Sequence, residues 1–234
     1  MEKNKKLPYT YTEQDWNETD QEDSAKEGEL QAPLGAYRAS KTMAERAAWE
    51  FIDATSPLFD LVTINPPLVL GPIIHQCASP DALNTSAAGV WKLVHGGVPA
   101  AGCAVDVRDV AQAHTEALLR PDAGGQRFAP TIGHYSWKQC ADIVLNSKNP
   151  AVTDDWKKGV RKDIEQDIPQ ANLDGSKTER ELNVQYQSLQ QTCVWTLYEK
   201  QRDERLTSDI PQHRRHSRVL QRLHQAWVER TCER

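Results

Sequence analysis

Apolar residues recur at helical or strand spacing through the middle of this chain of 234 residues, whereas polar side chains dominate both ends. Residues 36–54 predict an amphipathic helix, which ends at Thr55-Ser56-Pro57 because the residue before a proline disfavours helical geometry. Residues 58–70 contain a short apolar run that predicts a buried strand, and Asn65-Pro66-Pro67 interrupts this run. Gly71-Pro72 closes this first helix-and-strand unit.

Shorter helices and strands are predicted to alternate along the rest of the chain. The predicted helices cover 81–95, 110–119, 137–145, 177–182 and 188–200, and the predicted strands cover 104–107 and 127–131. Asp109 and Ser136 each precede one of these helices, and their side chains are expected to cap its first turn. Strands that alternate with helices indicate a parallel sheet with helices on its faces, so the predicted fold class is α/β.

The two ends of the chain differ in composition from the middle, which divides it into residues 1–30, 31–200 and 201–234. The first part carries nine acidic and four basic side chains, and it is predicted to form an acidic surface loop or a disordered tail. The last part carries eight arginines against five acidic residues. This basic tail is predicted to be helical or disordered. Four hypotheses for this tail remain open: a helix that covers an exposed sheet edge, a partner-binding helix, an RNA-contacting arm, or the product of an altered reading frame.

Composition narrows the classes of function. The net charge of −5 argues against a general nucleic-acid binder, so no nucleic-acid partner is expected. The five cysteines are scattered and form no C-x-x-C pair, which predicts reduced thiols and a cytoplasmic location. No apolar stretch reaches the roughly 18 residues that a membrane span needs. No apolar run follows the basic N-terminus, so no signal peptide is predicted.

The candidate chemistry lies in the first predicted helix, in the sequence Tyr37-Arg38-Ala39-Ser40-Lys41. Residues four apart on a helix lie on one face, so the Lys41 ammonium is expected beside the Tyr37 phenol. A nearby cation favours the phenolate and lowers the pKa of the phenol, which makes the tyrosine a usable proton donor. Such a donor is the general acid that the reduction of a carbonyl group requires.

A Y-x-x-x-K match is weak alone, but further motifs follow it in order. They are Ala-Ala-Trp-Glu-Phe at 47–51, Asn-Pro-Pro-Leu-Val-Leu-Gly-Pro at 65–72, Val-Asp-Val-Arg-Asp-Val-Ala at 105–111, and Ala113-His114. Together they resemble the extended short-chain dehydrogenase/reductases of the NAD-dependent epimerase/dehydratase superfamily. The chain looks most like the branch of fungal methylglyoxal and aldehyde reductases and plant dihydroflavonol and cinnamoyl-CoA reductases. The resemblance covers residues 8–146 and, more loosely, 171–198.

The resemblance implies a reductase that transfers hydride from NADP(H) to a small aldehyde or ketone. Tyr37 would donate the proton, and Lys41 would lower the pKa of the tyrosine and hydrogen-bond the nicotinamide ribose. The loop that begins at Asn65 would follow a strand at the carboxyl end of the sheet, where such folds bind ligands. The implied cofactor-binding residues are Tyr37, Lys41, Asn65, Pro66, Pro67 and Leu68, and the implied substrate-side residues are Ile73 and Ile74.

The resemblance covers only the C-terminal part of the family. The family begins with a strand, a G-x-x-G-x-x-G turn and a helix that binds the pyrophosphate, and no such turn occurs in this chain. It also has an upstream catalytic serine, a role that Ser24 in the acidic segment is not given. The implied fold is an incomplete Rossmann-type parallel sheet without its N-terminal half, with a small substrate subdomain and a helical C-terminal tail. Impaired activity and self-association through an exposed sheet edge are expected.

Three hypotheses for function remain open. The first is the carbonyl reductase, impaired or inactive, and the second is a non-catalytic remnant or protein-binding module. The third is a sugar-nucleotide epimerase or dehydratase, against which the lack of a basic cluster around 73–95 counts. Arg108 and Asp109 are expected to fix a strand-to-helix joint. His75 and Cys77 lack the further ligands that a metal site needs, so no metal is expected.

Overall fold

A computed structural model describes residues 8–18, 33–73, 83–99, 102–150, 152–165 and 171–197. The strands are β1 Tyr9–Tyr11, β2 Thr63–Ile64, β3 Leu68–Leu70, β4 Gly102–Asp106, β5 Arg127–Phe128, β6 His134–Tyr135 and β7 Ala171–Leu173. The helices are α1 Pro33–Thr55, α2 Thr85–Leu93, α3 Val107–Leu119, α4 Trp137–Asn146, α5 Asp154–Gly159, α6 Ser176–Leu182 and α7 at 189–197. Helices and strands alternate through the middle of the chain, as the α/β prediction requires.

The strands form three small sheets in which parallel pairing predominates. β1 pairs with β7, β2 with β5 and β3 with β4, each in parallel. β6 lies antiparallel to β4 and departs from the predicted parallel arrangement. Gly133 directly precedes β6 and has a φ of 85°, a left-handed geometry that glycine adopts without steric cost. This turn reverses the chain before it pairs with β4.

Helix α1 confirms the prediction over 36–54 and extends it at both ends. Ala39 and Thr42 are buried on its inner face, whereas Tyr37 is 58% exposed. The helix ends next to Ser56, whose φ is 43°, directly before a proline. The inner face of the helix is therefore formed by small side chains, while the tyrosine stays accessible.

The apolar run of residues 58–70 forms less strand than predicted. Only β2 and β3 pair with other strands, and Asn65-Pro66-Pro67 separates them. Leu58 and Phe59 are exposed rather than buried. The prolines have no N–H to donate to a ladder, so the chain leaves one sheet at Ile64 and joins another at Leu68.

Asp106, not Asp109, caps α3, so the predicted cap is wrong. The buried Asp106 carboxylate accepts hydrogen bonds from the backbone N–H of Arg108 (2.9 Å) and from its guanidinium (2.8 and 2.7 Å). It also accepts one from the Thr192 hydroxyl in α7 (2.8 Å). Asp109 lies inside the first turn and accepts from the backbone N–H of Gln187 (2.9 Å). Asp106 becomes the cap because its backbone is extended (ψ 140°), as a capping residue requires.

Asp109 should make the protein less stable as the pH rises. Burial raises the pKa of Asp109 from 3.8 to about 6, and the nearby Asp106 charge acts in the same direction. The fold therefore favours the protonated acid, and this stabilisation is present below about pH 4 and lost as the pH rises through about 6. We expect Asp109→Asn to stabilise the protein by about 1 to 3 kcal/mol at neutral pH, in urea unfolding. The gain should vanish near pH 4, and a pH-independent effect would contradict this account.

Two apolar cores hold the elements together. The larger one joins α2, α4 and α7 to the sheet of β3, β4 and β6. Its largest buried members include Leu93, Tyr135, Trp137 and Val144. The smaller one joins α3 and α6 to β2 and β5, with Phe128, Leu182 and Val184 at its centre. The second core therefore supports the β2–β5 pair, from which the Asn65 loop emerges.

One of the two predicted helix caps is confirmed. Ser136 caps α4 as predicted, in a reciprocal capping box with Gln139. Residues 1–30 were expected as a surface loop, but Tyr9–Tyr11 forms β1, whose partner β7 lies far along the chain. No local pattern indicates such a pair. The tail 201–234 lies outside the described residues, as do His75 and Cys77, and the division into three parts stays a prediction.

Candidate functional site

Tyr37 and Lys41 lie side by side on α1. The Lys41 ammonium nitrogen is 5.5 Å from the centre of the Tyr37 ring, so the two side chains share one face, as predicted. The Ser40 hydroxyl between them donates to the backbone carbonyl of Tyr37 (2.7 Å) and so turns back onto the helix. The exposed tyrosine hydroxyl is accessible to a small molecule. Its role as a proton donor stays a prediction.

The predicted cofactor loop follows β2 and is held at its first residue. The backbone N–H of Asn65 donates to the carbonyl of Phe128 in β5 (2.7 Å), and its side-chain amide donates to the carboxylate of Glu45 (3.1 Å). Pro66, Pro67, Leu68 and Ile73 are half-buried, and Ile74 lies outside the described residues. The loop is therefore fixed at Asn65 on both sides, from the backbone and from the side chain.

Glu45 connects the helix of Tyr37 and Lys41 to this loop. In addition to the Asn65 amide, its carboxylate accepts hydrogen bonds from the Thr63 hydroxyl (2.7 Å) and from the Arg127 guanidinium (2.8 and 3.2 Å). Burial alone would raise the pKa of Glu45, but the hydrogen bonds from Arg127, Thr63 and Asn65 outweigh it and lower the pKa to about 2. The carboxylate is therefore ionised at any physiological pH.

Arg127 extends this network to the segment before α1. Its guanidinium lies 3.9 Å from the centre of the Trp16 ring and donates to the backbone carbonyls of Glu13 and Asp15. A cation over an indole face is favourable, and the planar group satisfies several acceptors at once. One arginine thus joins α1, β5 and residues 13–16.

Neither Glu45 nor Arg127 was predicted from the sequence. A signal was available for Glu45, since it lies four residues after Lys41 and eight after Tyr37, positions that share a helix face. Arg127 offers no such signal, because its partner lies 82 residues earlier in the chain.

A cavity of about 460 Å³ lies beside this network. Arg38, which follows Tyr37, and Asn65 both line it, together with Trp16 and Arg127. Its volume lies within the range typical of small-molecule sites. Helix α1 therefore borders this cavity through Arg38, and the loop after β2 borders it through Asn65, whereas Tyr37 and Lys41 are not among the residues that line it.

The N-termini of α2, α3 and α4 offer no free site for the diphosphate of a dinucleotide. A pyrophosphate needs a helix N-terminus with free N–H groups and a close glycine turn. α3 follows β4 directly, but the Asp106 carboxylate already accepts the backbone N–H of Arg108 in the first turn of this helix, and the buried Asp109 lies in the same turn. The N-termini of α2 and α4 are closed by the side chains of Asn84 and Ser136.

Two further features of the described residues concern other classes of site. They contain no group of three or more histidine, cysteine or acidic side chains placed to hold a metal ion. None of the helices within them combines the length and the apolar character that crossing a bilayer requires.

Comparisons with known proteins find relatives that are named as reductases. The chain is 42% identical over 177 residues to the ketoreductase azaE of Aspergillus niger, an alignment that covers 71% of this chain and 50% of that protein. It is 30% identical over 200 residues to an NADPH-dependent methylglyoxal reductase, GRE2, of Saccharomyces cerevisiae, covering 82% and 57%. The chain spans about half the length of the curated relatives it matches. No protein-family model matches it.

Solved structures agree with this likeness. A crystal structure of Gre2 from Candida albicans superposes with a TM-score of 0.70 at 32% identity, covering 82% of this chain and 58% of that one. The same protein in complex with NADPH gives a TM-score of 0.68 at 34% identity, covering 80% and 56%. These superpositions confirm the predicted α/β fold of Rossmann type for the matched part of the chain.

Proposed function

This chain is a member of the extended short-chain dehydrogenase/reductases, and from that premise we propose that it acts on small aldehyde or ketone carbonyls with NADPH, with Tyr37 as the proton donor. The observation that carries the proposal is the juxtaposition of Tyr37 and Lys41 on α1, where the adjacent Arg38 lines the same cavity as Asn65. The names of the relatives agree with it, since they include a ketoreductase and an NADPH-dependent methylglyoxal reductase.

The residues of this chain would divide the chemistry as follows. The Tyr37 hydroxyl gives its proton to the carbonyl oxygen as that oxygen gains negative charge, and the phenolate that remains is stabilised by the Lys41 ammonium. NADPH, when bound, supplies the hydride that goes to the carbonyl carbon, so that carbonyl, hydride and proton give an alcohol. Lys41 and the Asn65 loop would hold the nicotinamide and its ribose. Because Asn65 is fixed at two points, the loop is preformed.

We propose further that the chain binds the nicotinamide end of the cofactor alone and is therefore impaired. Side chains close the N-termini of α2, α3 and α4, so at these three helices the charged part of the cofactor lacks the N–H partners that it needs. Reduced nicotinamide mononucleotide, which lacks the adenylate half, tests this directly. NADPH and the mononucleotide should bind equally weakly, with dissociation constants on the order of 1 mM, in a fluorescence titration of the full chain.

A matched variant makes this titration specific. Lys41→Met should abolish the binding of both nucleotides, whereas Lys92→Met, on α2, should leave it unchanged. Micromolar binding of NADPH with no binding of the mononucleotide would show that the chain holds a diphosphate site. If neither binds, the reductase proposal fails in favour of a non-catalytic role.

A protein-binding role is the second candidate, and one surface favours it. Phe59, Leu118 and Leu119 line a groove of about 510 Å³, and their exposed fractions are 60, 86 and 70%. Leu58 beside them is fully exposed. Neighbouring apolar side chains of this size are uncommon on the surface of a monomer. Self-association of the chain through this face would appear as a concentration-dependent mass in light scattering.

A further inference from the structure

We propose that Glu45 and Arg127 form a positioning pair that holds the Tyr37–Lys41 helix in register with the Asn65 loop. The inference rests on the proposed reductase function. Neither residue is assigned a part in the chemistry. Their task is to set the distance and angle between the proton donor and the loop that holds the nicotinamide.

The first support is the location of Glu45 on α1. It lies one turn beyond Lys41 and two turns beyond Tyr37, on the side of the helix that faces β2 and β5. Its contacts with Thr63 and Arg127 are therefore a direct attachment of this helix to the β2–β5 pair.

The second support is the burial of the pair. The side chains of Arg127 and Glu45 are only 18% and 13% exposed. A charged pair withdrawn from water to this degree is retained only where its geometry is good and its remaining hydrogen-bonding capacity is satisfied. Both conditions hold, because the carboxylate accepts from several donors and the guanidinium reaches two backbone carbonyls as well.

The third support is the orientation of Asn65. Oε1 of Glu45 accepts from the Asn65 amide, the Thr63 hydroxyl and Nε of Arg127 together. This shared acceptor ties the first residue of the loop to the helix through a single carboxylate. Neutralising it leaves the Arg127 guanidinium without a counter-charge and weakens the bond to Asn65.

Catalysis depends steeply on such placement, since a displacement of about 1 Å lowers a rate by about 100-fold. We expect Glu45→Gln and Arg127→Lys to lower kcat by about 10- to 100-fold while the KM for the carbonyl substrate changes by less than about threefold. The shape of the pH–rate profile should be retained, because neither Glu45 nor Arg127 takes part in the proton transfer. Glu45→Asp, which keeps the charge on a shorter arm, should recover part of the loss.

A variant that is destabilised far from the site distinguishes a positioning role of Glu45 from a role in stability alone. Val144→Ala lowers the melting temperature by emptying part of the larger core, away from the site. At a temperature well below both transitions, its kcat should equal that of the unmodified chain. An equal loss of kcat in Val144→Ala and Glu45→Gln would overturn the inference.

A measurement without cofactor keeps this test independent of the proposed function. In nuclear magnetic resonance spectra of the full chain, Glu45→Gln should shift the side-chain amide of Asn65, the indole N–H of Trp49, which donates to Glu45 (3.4 Å), and the backbone amides of residues 37–41. Val144→Ala should leave these signals in place. If the chain binds no nucleotide, the reductase proposal fails while these shifts still support the positioning pair. Unmoved signals in Glu45→Gln would overturn the pair even if turnover is present.

Discussion

Tyr37→Phe should lower kcat/KM for carbonyl reduction by at least about 100-fold, since a positioned general acid contributes about two to four orders of magnitude. The change removes one oxygen atom and keeps the ring beside Lys41. Because Tyr37 is exposed, the melting temperature should stay the same. The rate is followed as loss of NADPH absorbance with an excess of a small aldehyde, at a nucleotide concentration high enough to offset weak binding.

Two further variants serve as controls for this result. Lys41→Met should also reduce turnover, because the phenolate loses its adjacent cation. Met43→Leu, an exposed change on the same helix, should have no effect. Turnover that persists in Tyr37→Phe would exclude this tyrosine as the proton donor, and a loss shared by Met43→Leu would point to helix damage instead.

Asp106→Ala should cost about 2–4 kcal/mol of stability, because it removes a helix cap worth about 1 kcal/mol and the acceptor of charged hydrogen bonds worth about 1.5–3 kcal/mol. The carboxylate is completely buried, caps α3 and binds both the Arg108 guanidinium and the Thr192 hydroxyl. Its loss leaves a cation and a hydroxyl without their acceptor and opens the first turn of the helix. Gly71 packs close by, since a Cβ there would lie 3.0 Å from Asp106 Oδ1.

Asp106→Asn is the matched control, because asparagine caps a helix about as well as aspartate. It should recover the capping part of the loss but not the ion pair. The stability of the protein at low pH gives a second check. Burial alone would raise the pKa of Asp106, but hydrogen bonds from Arg108 outweigh it and lower the pKa. Its contribution is therefore present above the ordinary value of 3.8 and is lost as the pH falls below it. The difference in unfolding free energy between the unmodified chain and Asp106→Ala, measured by chemical denaturation, should therefore shrink at low pH. A difference below about 1 kcal/mol at neutral pH would refute the stabilising role of Asp106.

The residues that the sequence analysis identified are those whose signal is local. Tyr37 and Lys41 are one turn apart, and Ser136 caps α4 three residues before its Gln139 partner, so spacing alone indicates both. Glu45 and Arg127 meet only after the chain has folded, across 82 residues. The pairing of β1 with β7 is more distant still. Asp106 was overlooked for a different reason, since it ends a strand and caps a helix at once.

Glu45 attaches helix α1 to the β2–β5 pair at a point well away from Tyr37. Glu45 lies eight residues after Tyr37, which at about 1.5 Å per residue places the two residues about 12 Å apart along the helix axis. A tilt of about 10° about that point would swing the backbone at Tyr37 by about 2 Å, using the same helical rise. If Glu45 positions the helix as proposed, the position of the phenol depends on the inclination of α1 at a residue two turns away.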